Sequence, residues 1–401
     1  MNVEIFPSKA VGEISAPPSK SYAHRLLICA ALADGESIIE NIGTNEDIIA
    51  TASCLKKLGA DIEIIGTKAV VKGIKKAERT QSLDLFCNES GSTLRFLIPV
   101  SLLFSKNVDF TGKGKLMQRP QSVYEELFKE KNCSLDMLEN SIHASGELKS
   151  GVYKMRGDVS SQFITGLLFT LPLLSGDSEI ILTTPLESAP YIDITIDVLS
   201  LFGVEIEKRE NSFFIKGSQK YIPQNLSVEG DWSNSAFLEA FNLIGGGVRL
   251  NGMNCDSKQG DKVYREFYEK FSDTAPTVDI SDCPDLGPIL IACAVLNNGA
   301  TLTGTRRLKI KESDRGEAMK TELKKFGVDI EVNDDNIIIP NSTLKKPKEV
   351  LCCHNDHRIA MSLSVICSKT GGVLENAECV KKSYPEFFDD IKSLGVKFKT
   401  M

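Results

Sequence analysis

The chain has 401 residues, of which 42% are hydrophobic and 25% are charged, and its 47 Lys and Arg against 54 Asp and Glu give a formal net charge of −7. This length and composition predict two or three globular domains and exclude a disordered or low-complexity chain. The acidic balance, without a long basic run, argues against nucleic acid and against a membrane surface as partners, although a small anionic ligand responds to local rather than net charge.

The sequence also bears on the cellular compartment. The best candidate for a membrane span, residues 163–174, is too short and is broken by Gly and Pro. Residues 1–21 contain no apolar signal core. Eleven cysteines at irregular spacing are typical of free thiols in a reducing compartment rather than of a disulfide framework. We therefore expect a cytoplasmic protein.

A first repeated pattern joins a helical segment, a glycine and a short strand in which apolar and charged residues alternate. The glycine is predicted at the C-terminal end of the helix with a positive φ, and the alternation is that of a half-buried strand. Four clear copies occupy residues 55–64, 199–208, 323–332 and 391–400, and two degenerate copies are expected near Lys131 and Ser272.

A second pattern consists of a small-residue or Leu-rich helix, a tight turn and a strand, and it alternates with the first. Its turns fall near positions 35, 106, 176, 246, 299 and 372, so six units of about 67 residues account for the chain. Such units must pack on their neighbours to bury their apolar faces. The repeats therefore predict an α/β fold with two globular domains of three units each.

The predicted crossovers between the domains lie at residues 16–19, which include two prolines, and at residues 221–228. Because the chain is expected to cross twice, one domain combines residues 1–17 with 228–401 and the other spans residues 18–227. Motif residues stand beside both crossovers, and ligands commonly bind at domain interfaces.

Motifs of the first half are suited to anionic ligands. Lys20, Ser21 and Arg25 stand at a predicted helix start, where the helix N-terminus and the cations together suit a phosphate or carboxylate. Gly91 permits close approach of the backbone to a ligand, and Arg95 follows one turn later. Helix caps and solvated turns are the alternative interpretation of all these motifs. Further candidates are Arg119 at the end of the loop 111–120, Ser160, Ser161, Gln162, Ser188 and Tyr191.

The second half adds acids to the basic residues. Asp285 stands between a proline and an apolar run, so its carboxylate is predicted to be partly buried, which favours use as a general base. A helix cap is the alternative for Asp285, and surface ion pairs are the alternative for the basic run that follows. The other candidates are Lys311, Glu312, Arg315, Asp356, His357, Arg358 and Lys382.

A metal site is the competing interpretation of the sequence CCHNDH, which contains Cys352, Cys353, His354 and His357. Adjacent cysteines do not have the usual ligand spacing, and the sequence has no second C-x-x-C or H-x-x-x-H segment. Nucleophilic catalysis is also disfavoured, because there is no G-x-S-x-G elbow. We therefore predict no metal.

Ten motifs across residues 8–388 resemble the 3-phosphoshikimate 1-carboxyvinyltransferase (EPSP synthase) family of enolpyruvyl transferases. In chain order they are PSKSYAHR, SGSTLR, QRP, SSQF, SAPYIDIT, EGDWSNSAF, PDLGPIL, KESDR, NDHRIAM and KKSYPEFF. The resemblance implies an α/β (α+β) fold of two domains, each a pseudo-threefold assembly of three βαβαββ units, with the active site in the interdomain cleft. This agrees with the six units counted from the repeats.

The resemblance also implies the reaction, in which phosphoenolpyruvate gives its enolpyruvyl group to the 5-hydroxyl of shikimate 3-phosphate through a tetrahedral intermediate that loses phosphate. The product leads to chorismate and the aromatic amino acids. The family uses no metal and no organic cofactor. Closure of the two domains would exclude water, and we expect a monomer whose partners are these two small molecules.

Carried over position by position, the family's site residues fall into three overlapping groups. The catalytic group is Asp285 as general base, with Glu312 and Lys20 as candidates for handling the methyl proton. Shikimate 3-phosphate is assigned to Lys20, Ser21, Arg25, Ser160, Ser161, Gln162, Ser188, Asp285 and Lys311. Phosphoenolpyruvate is assigned to Lys20, Gly91, Arg95, Arg119, Gln162, Arg315, Arg358 and Lys382, where Arg95 is added for its proximity to Gly91.

Two departures from the family pattern matter. Some members have an Asn four positions before Lys311, but this chain has Arg307, which is left out of the predicted site. The glycine motif reads ESGST rather than NAGTA, so sensitivity to the inhibitor glyphosate is left open.

Two other functions are the alternatives. UDP-N-acetylglucosamine 1-carboxyvinyltransferases usually have a Cys five positions before the loop arginine, where this chain has Gly114. A catalytically inactive binding relative would lack one of the catalytic residues, and all of them are present.

Overall fold

The computed structural model describes residues 1–75 and 79–401. Within these ranges we number twelve α-helices, which are α1 (Lys20–Leu32), α2 (Glu46–Lys57), α3 (Gly91–Ser101), α4 (Ser122–Glu130), α5 (Ser161–Thr170), α6 (Ala189–Leu201), α7 (Trp232–Glu239), α8 (Tyr264–Asp273), α9 (Gly287–Leu296), α10 (Arg315–Lys325), α11 (His357–Thr370) and α12 (Phe387–Ser393). None of these described helices has the length and apolarity that crossing a bilayer requires.

The β-strands are short, as expected for a sequence with frequent turn signals. The described ranges contain β1 (Val3–Phe6), β2 (Val11–Ser15), β3 (Glu36–Glu40), β4 (Asp61–Ile65), β5 (Lys68–Lys72), β6 (Leu83–Phe86), β7 (Asn107–Thr111), β8 (Ser134–Met137), β9 (Ser141–Ser145), β10 (Val152–Met155), β11 (Ser178–Leu182), β12 (Ile206–Lys208), β13 (Ser212–Ile215), β14 (Asn225–Ser227), β15 (Gly247–Asn251), β16 (Thr277–Asp279), β17 (Ala300–Thr303), β18 (Glu331–Val332), β19 (Asn336–Ile339), β20 (Leu351–Cys352), β21 (Gly372–Glu375) and β22 (Lys397–Thr400).

The chain forms two compact units. One unit, called the split unit here, joins Met1–Pro17 to Gly230–Met401, and the other, called the central unit, is Pro18–Glu229. Each unit has its own hydrophobic core, which includes Leu27 and Phe163 in the central unit and Ile289 and Met361 in the split unit.

The central unit contains three four-stranded sheets of the same topology. Their strand orders are β14-β3-β5-β4, β6-β7-β9-β8 and β10-β11-β13-β12. In each sheet the first two strands are parallel and the remaining neighbours are antiparallel. A parallel pair needs a crossover, which α3 and α5 supply in the second and third sheets. These sheets are therefore βαβαββ units.

The split unit repeats this topology twice and then departs from it. The sheets β16-β17-β19-β18 and β20-β21-β1-β22 have the same order, whereas the third sheet consists only of the parallel strands β15 and β2. The degenerate copy expected near Ser272 contains its helix, α8, but β16 after it pairs with β17 of the next sheet. The helix ends at Thr274 in an extended conformation, and no glycine turns the chain back into a hairpin.

The predicted glycine positions are confirmed by the backbone. Gly59, Gly203, Gly327 and Gly395 follow α2, α6, α10 and α12 with φ between 77° and 110°. This left-handed region is accessible to glycine without a Cβ clash, so each glycine ends a helix and redirects the chain into a strand. At the degenerate copy near Lys131, Asn132 takes the same role with a φ of 54°.

Six largely buried helices form the interior of the two compact units, three in each. These are α1, α3 and α5 in the central unit and α7, α9 and α11 in the split unit, and nearly all of their side chains are buried. Helices that are apolar on every side are expected to be buried on every side. Within each unit, polar motif residues lie at the N-terminal ends of these helices.

Candidate active site

In the split unit, three predicted cations converge on the predicted base, Asp285. Asp285 lies in a 3₁₀ turn that runs directly into α9. Its Oδ1 accepts from Lys311 Nζ at 3.1 Å and from Arg315 Nη1 at 3.0 Å, and its Oδ2 accepts from Arg358 Nη2 at 3.1 Å. Contact with three cations stabilises the negative charge of the Asp285 carboxylate.

Arg315, the first residue of α10, is the centre of this cluster. Its side chain is only 1% exposed and contacts three carboxylates, with Nη1 on Asp285, Nη2 on Glu312 at 2.6 Å and Nε on Asp356 at 2.9 Å. Burial by itself lowers the pKa of Arg315, but Asp356, Glu312 and Asp285 together raise it above its usual value. The guanidinium therefore stays charged and holds both predicted catalytic acids.

Asp356 is a candidate residue for which no role was predicted. It is fully buried and caps α11, where Oδ1 accepts from the Arg358 backbone N–H at 3.0 Å. Its Oδ2 accepts from Ser313 Oγ at 3.0 Å as well as from Arg315. The signal was present, because an Asp directly before an apolar helix is a typical N-cap, but its partner Arg315 is 41 positions away.

The remaining basic candidates of the split unit differ in their surroundings. Burial lowers the pKa of Lys311, and Asp285 opposes this effect. Lys382, at the end of a 3₁₀ turn, is buried and donates from Nζ to the Asn355 carbonyl at 2.7 Å. Arg307, which was left out of the predicted site, donates to the Ser281 carbonyl.

Asp261 is an acid that sequence reasoning missed. It is 4% exposed, and burial together with repulsion from Asp285 raises its pKa to about 6, while Arg358 acts in the opposite direction. No local pattern announces it, since Asp261 lies in a polar segment whose burial depends on packing against distant elements.

The side chains of the CCHNDH segment point to different partners. Cys353 is buried against Cys379, and this contact together with burial raises the pKa of its thiol. His354 Nε2 lies 2.9 Å from Glu322 Oε1. Within residues 1–75 and 79–401, no group of three His, Cys, Asp or Glu side chains is arranged to bind a metal ion.

In the central unit, the predicted anion-binding residues begin with α1. Ser19 caps this helix, accepting from the Tyr22 N–H, and Lys20 Nζ lies 2.9 Å from Asp47 Oδ2 of α2. Arg25 is 3% exposed and donates to the Ser21 carbonyl at 2.7 Å, as well as to α6. Burial lowers the pKa of Arg25 to about 10. Asp47 was not identified from the sequence.

The structure brings Gly91, Arg95, Arg119 and Gln162 together at the N-terminal ends of α3 and α5. Gln162 Oε1 accepts from Arg95 Nη1 at 2.8 Å, and its Nε2 donates to Ser92 Oγ at 2.9 Å. A Cβ on Gly91 would lie 2.8 Å from Arg119 Nη1. A side chain at position 91 would therefore displace the Arg119 guanidinium, whereas glycine leaves room for it.

Three of the four predicted serines lie at the starts of α5 and α6. Ser160 caps α5, and its Oγ accepts from the Gln162 N–H at 3.3 Å. Ser161 is the first, buried residue of α5, and Ser188 precedes α6 with a φ of 57°. A non-glycine residue in the left-handed region is strained, and such strain is concentrated at functional positions.

Comparisons with known proteins agree on one family. Residues 6–391 match the family model described as EPSP synthase (3-phosphoshikimate 1-carboxyvinyltransferase). A 3-phosphoshikimate 1-carboxyvinyltransferase of Clostridium perfringens strain ATCC 13124 is 43% identical over 420 residues, covering 98% of each chain. One of Clostridium kluyveri is also 43% identical, covering 98% of this chain and 97% of its own.

Solved structures show the same fold at lower identity. An EPSP synthase from Acinetobacter baumannii has a TM-score of 0.79 and 22% identity over 99% of both chains. The enolpyruvyl transferase NikO from Streptomyces tendae has a TM-score of 0.79 and 13% identity over 99% of this chain and 98% of its own.

Proposed function

Because this chain belongs to the EPSP synthase (3-phosphoshikimate 1-carboxyvinyltransferase) family, we propose that the polar residues of its two units serve one reaction. The chain transfers the enolpyruvyl group of phosphoenolpyruvate to the 5-hydroxyl of shikimate 3-phosphate and releases phosphate. The product, 5-enolpyruvylshikimate 3-phosphate, belongs to the shikimate pathway, which leads to chorismate and the aromatic amino acids.

The contact of Asp285 with Lys311, Arg315 and Arg358 is the observation that carries the proposed mechanism. In the addition step the 5-hydroxyl oxygen attacks the phosphate-bearing carbon of phosphoenolpyruvate, and the hydroxyl proton passes to the Asp285 carboxylate. The methylene carbon gains a proton from Glu312 or Lys20, which makes it a methyl group, and the proton on Asp285 later leaves with the phosphate. The result is a tetrahedral intermediate that still carries the phosphate.

The elimination step reverses the proton transfer at carbon. The methyl group loses a proton while the carbon–oxygen bond to phosphate breaks, which restores the enol double bond. We assign this proton to Glu312 or Lys20. Support for Glu312 comes from Arg315, whose guanidinium contacts both Glu312 and Asp285. Cations beside the departing phosphate stabilise the charge that develops on it.

The binding assignments follow the groups of residues found within each unit. We propose that Arg315, Arg358 and Lys382 of the split unit bind phosphoenolpyruvate. The central unit would add Lys20, Gly91, Arg95, Arg119 and Gln162 for phosphoenolpyruvate. Shikimate 3-phosphate would be bound by Lys20, Ser21, Arg25, Ser160, Ser161, Gln162, Ser188, Asp285 and Lys311. Helix N-termini and guanidinium groups are well suited to phosphate and carboxylate oxygens.

We also propose that the two compact units are the two domains, and that the chain acts as a monomer in a reducing compartment. Support for the compartment comes from the eleven cysteines, all of which are free thiols. Equilibrium sedimentation at enzyme concentrations used for kinetics tests the oligomeric state, and a mass twice that of the chain would contradict a monomer.

The direct test of the function is phosphate release from purified protein given phosphoenolpyruvate with either shikimate 3-phosphate or UDP-N-acetylglucosamine. We expect turnover with shikimate 3-phosphate only, and turnover with the nucleotide sugar alone would overturn the assignment. Replacing Asp285 with Asn keeps the shape of the side chain but removes the base, so kcat should fall by about 10²- to 10⁴-fold. Near-normal turnover of this variant would refute the proposed base.

A further inference from the structure

Residues 352–356, which lead into α11, contain two successive residues in the left-handed region. His354 has a φ of 51° and Asn355 a φ of 53°. Neither is glycine, and L-residues in this conformation are held there by surrounding contacts. Lys382 Nζ contacts the carbonyl of Asn355 at 2.7 Å, which accounts for one side of the segment. The other side is held by a buried carboxylate on a different helix.

That carboxylate belongs to Glu322, in the middle of α10. Its side chain is 1% exposed and both of its oxygens are used. Oε2 accepts from the Cys352 N–H at 2.9 Å and from Lys325 Nζ at 2.8 Å, and Oε1 lies 2.9 Å from His354 Nε2. Burial by itself raises the pKa of Glu322, but the bonds from His354, Lys325 and Cys352 lower it overall. The carboxylate is thus ionised and binds two residues of one short segment, Cys352 and His354.

The two elements joined by this contact are the ones that carry the cluster around Arg315. Arg315 is the first residue of α10, seven positions before Glu322, and Asp356 follows His354 by two positions. Asp356 in turn bonds Arg315 and the backbone of Arg358. The Glu322 contact therefore fixes α10 against residues 352–356 at a second point, which lies outside the group of proposed substrate-binding side chains.

We propose that Glu322 and His354 are positioning residues that hold α10 against residues 352–356 and so set the arrangement of Arg315 and Arg358 for phosphoenolpyruvate. This inference rests on the proposed roles of those two arginines. Neither Glu322 nor His354 touches the substrates in this proposal. Loss of the contact shifts the arginines, and small displacements of binding groups have large kinetic effects.

The test compares substitutions of His354. Asn tolerates the left-handed region, but its side chain is too short to reach Glu322. His354→Asn therefore removes the bond between His354 and Glu322 without straining the backbone. We expect KM for phosphoenolpyruvate to rise about tenfold, while KM for shikimate 3-phosphate and kcat change little. Gln can place its amide nitrogen near the position of Nε2, so His354→Gln should restore the wild-type KM.

A matched control is His143→Ala in the central unit. His143 forms a similar pair with Asp109 at 2.8 Å, and its side chain is 29% exposed, like that of His354. It should leave both KM values unchanged. If His354→Asn does not fold, His354→Gly tests the same loss, because glycine adopts the positive φ without strain.

Two results would overturn the inference. One is an unchanged KM for phosphoenolpyruvate in the variants that lack the contact, and the other is an equal rise in both KM values without rescue by Gln, which indicates a merely structural role. Absence of turnover by the wild-type protein with shikimate 3-phosphate would instead refute the proposed function. The two failures are therefore distinguishable within one set of assays.

Discussion

Replacing Asp356 with Ala removes a carboxylate that both caps α11 and pairs with Arg315. The expected loss in the free energy of unfolding therefore has two parts. Loss of the α11 cap costs about 1 kcal/mol. Leaving a buried charge without its partner costs about 3–5 kcal/mol. Arg315 keeps Asp285 and Glu312 in this variant, so the lower value of about 3 kcal/mol applies. The free energy of unfolding should therefore fall by about 4 kcal/mol.

The chain offers a specific probe for this measurement. Trp232 is its only tryptophan, and it lies buried at the start of α7 in the split unit, as does the Asp356 cluster. Tryptophan fluorescence during urea unfolding therefore reports on the unit that is perturbed. With a slope of about 2 kcal/mol per molar urea, the midpoint should fall by about 2 M.

Asp314→Ala is the matched control. Asp314 caps α10 by accepting from the Glu317 N–H at 3.2 Å, and it lies outside the buried Arg315 cluster. Its loss should cost only the cap, about 1 kcal/mol, and lower the midpoint by about 0.5 M. Equal shifts for the two variants would show that the buried pair contributes no stability, and the reasoning from the Arg315 contacts would then be wrong.

Two further variants test other parts of the structure. Asp261 has its pKa raised to about 6, so the folded state keeps the proton longer than the unfolded chain and stability falls as pH rises from about 4 to 6. Asp261→Asn should thus raise the urea midpoint at pH 7 and leave it unchanged near pH 4, and a gain independent of pH would contradict this. Gly91→Ala places a Cβ 2.8 Å from Arg119 Nη1 and should raise KM for phosphoenolpyruvate about tenfold. Gly247→Ala, whose Cβ meets Val11 no closer than 3.6 Å, should not change that KM. An unchanged KM for Gly91→Ala would mean that Arg119 does not bind this substrate.

Much of the fold could be predicted from the sequence, because helix ends and strand patterns depend on residues only a few positions apart. The glycines that end α2, α6, α10 and α12 were recognisable from the change in hydrophobic period around them. The sheet that contains only β15 and β2 could not be recognised from the sequence, because the residues after α8 resemble any other strand. The strand after α8 is β16, and its pairing with β17 places it in the next sheet.

The residues of the candidate site could likewise be predicted only in part. The basic residues stand in short motifs at helix starts and could be found from the sequence. The acids among them could be found only in part, because Asp47, Asp261 and Asp356 also lie among these residues in the structure. The surroundings are therefore less positive than the motifs alone indicated.

The sequence by itself determined the repeated units, the helix ends and the set of basic residues, since each depends on neighbours a few positions apart. Only the tertiary structure decided which acid meets which cation. Lys20 and Asp47 are 27 positions apart, and Arg358 and Asp285 are 73 apart. Such pairs form because packing within each unit brings together helix starts that are distant in the chain, and in a desolvated interior each cation then requires a partner.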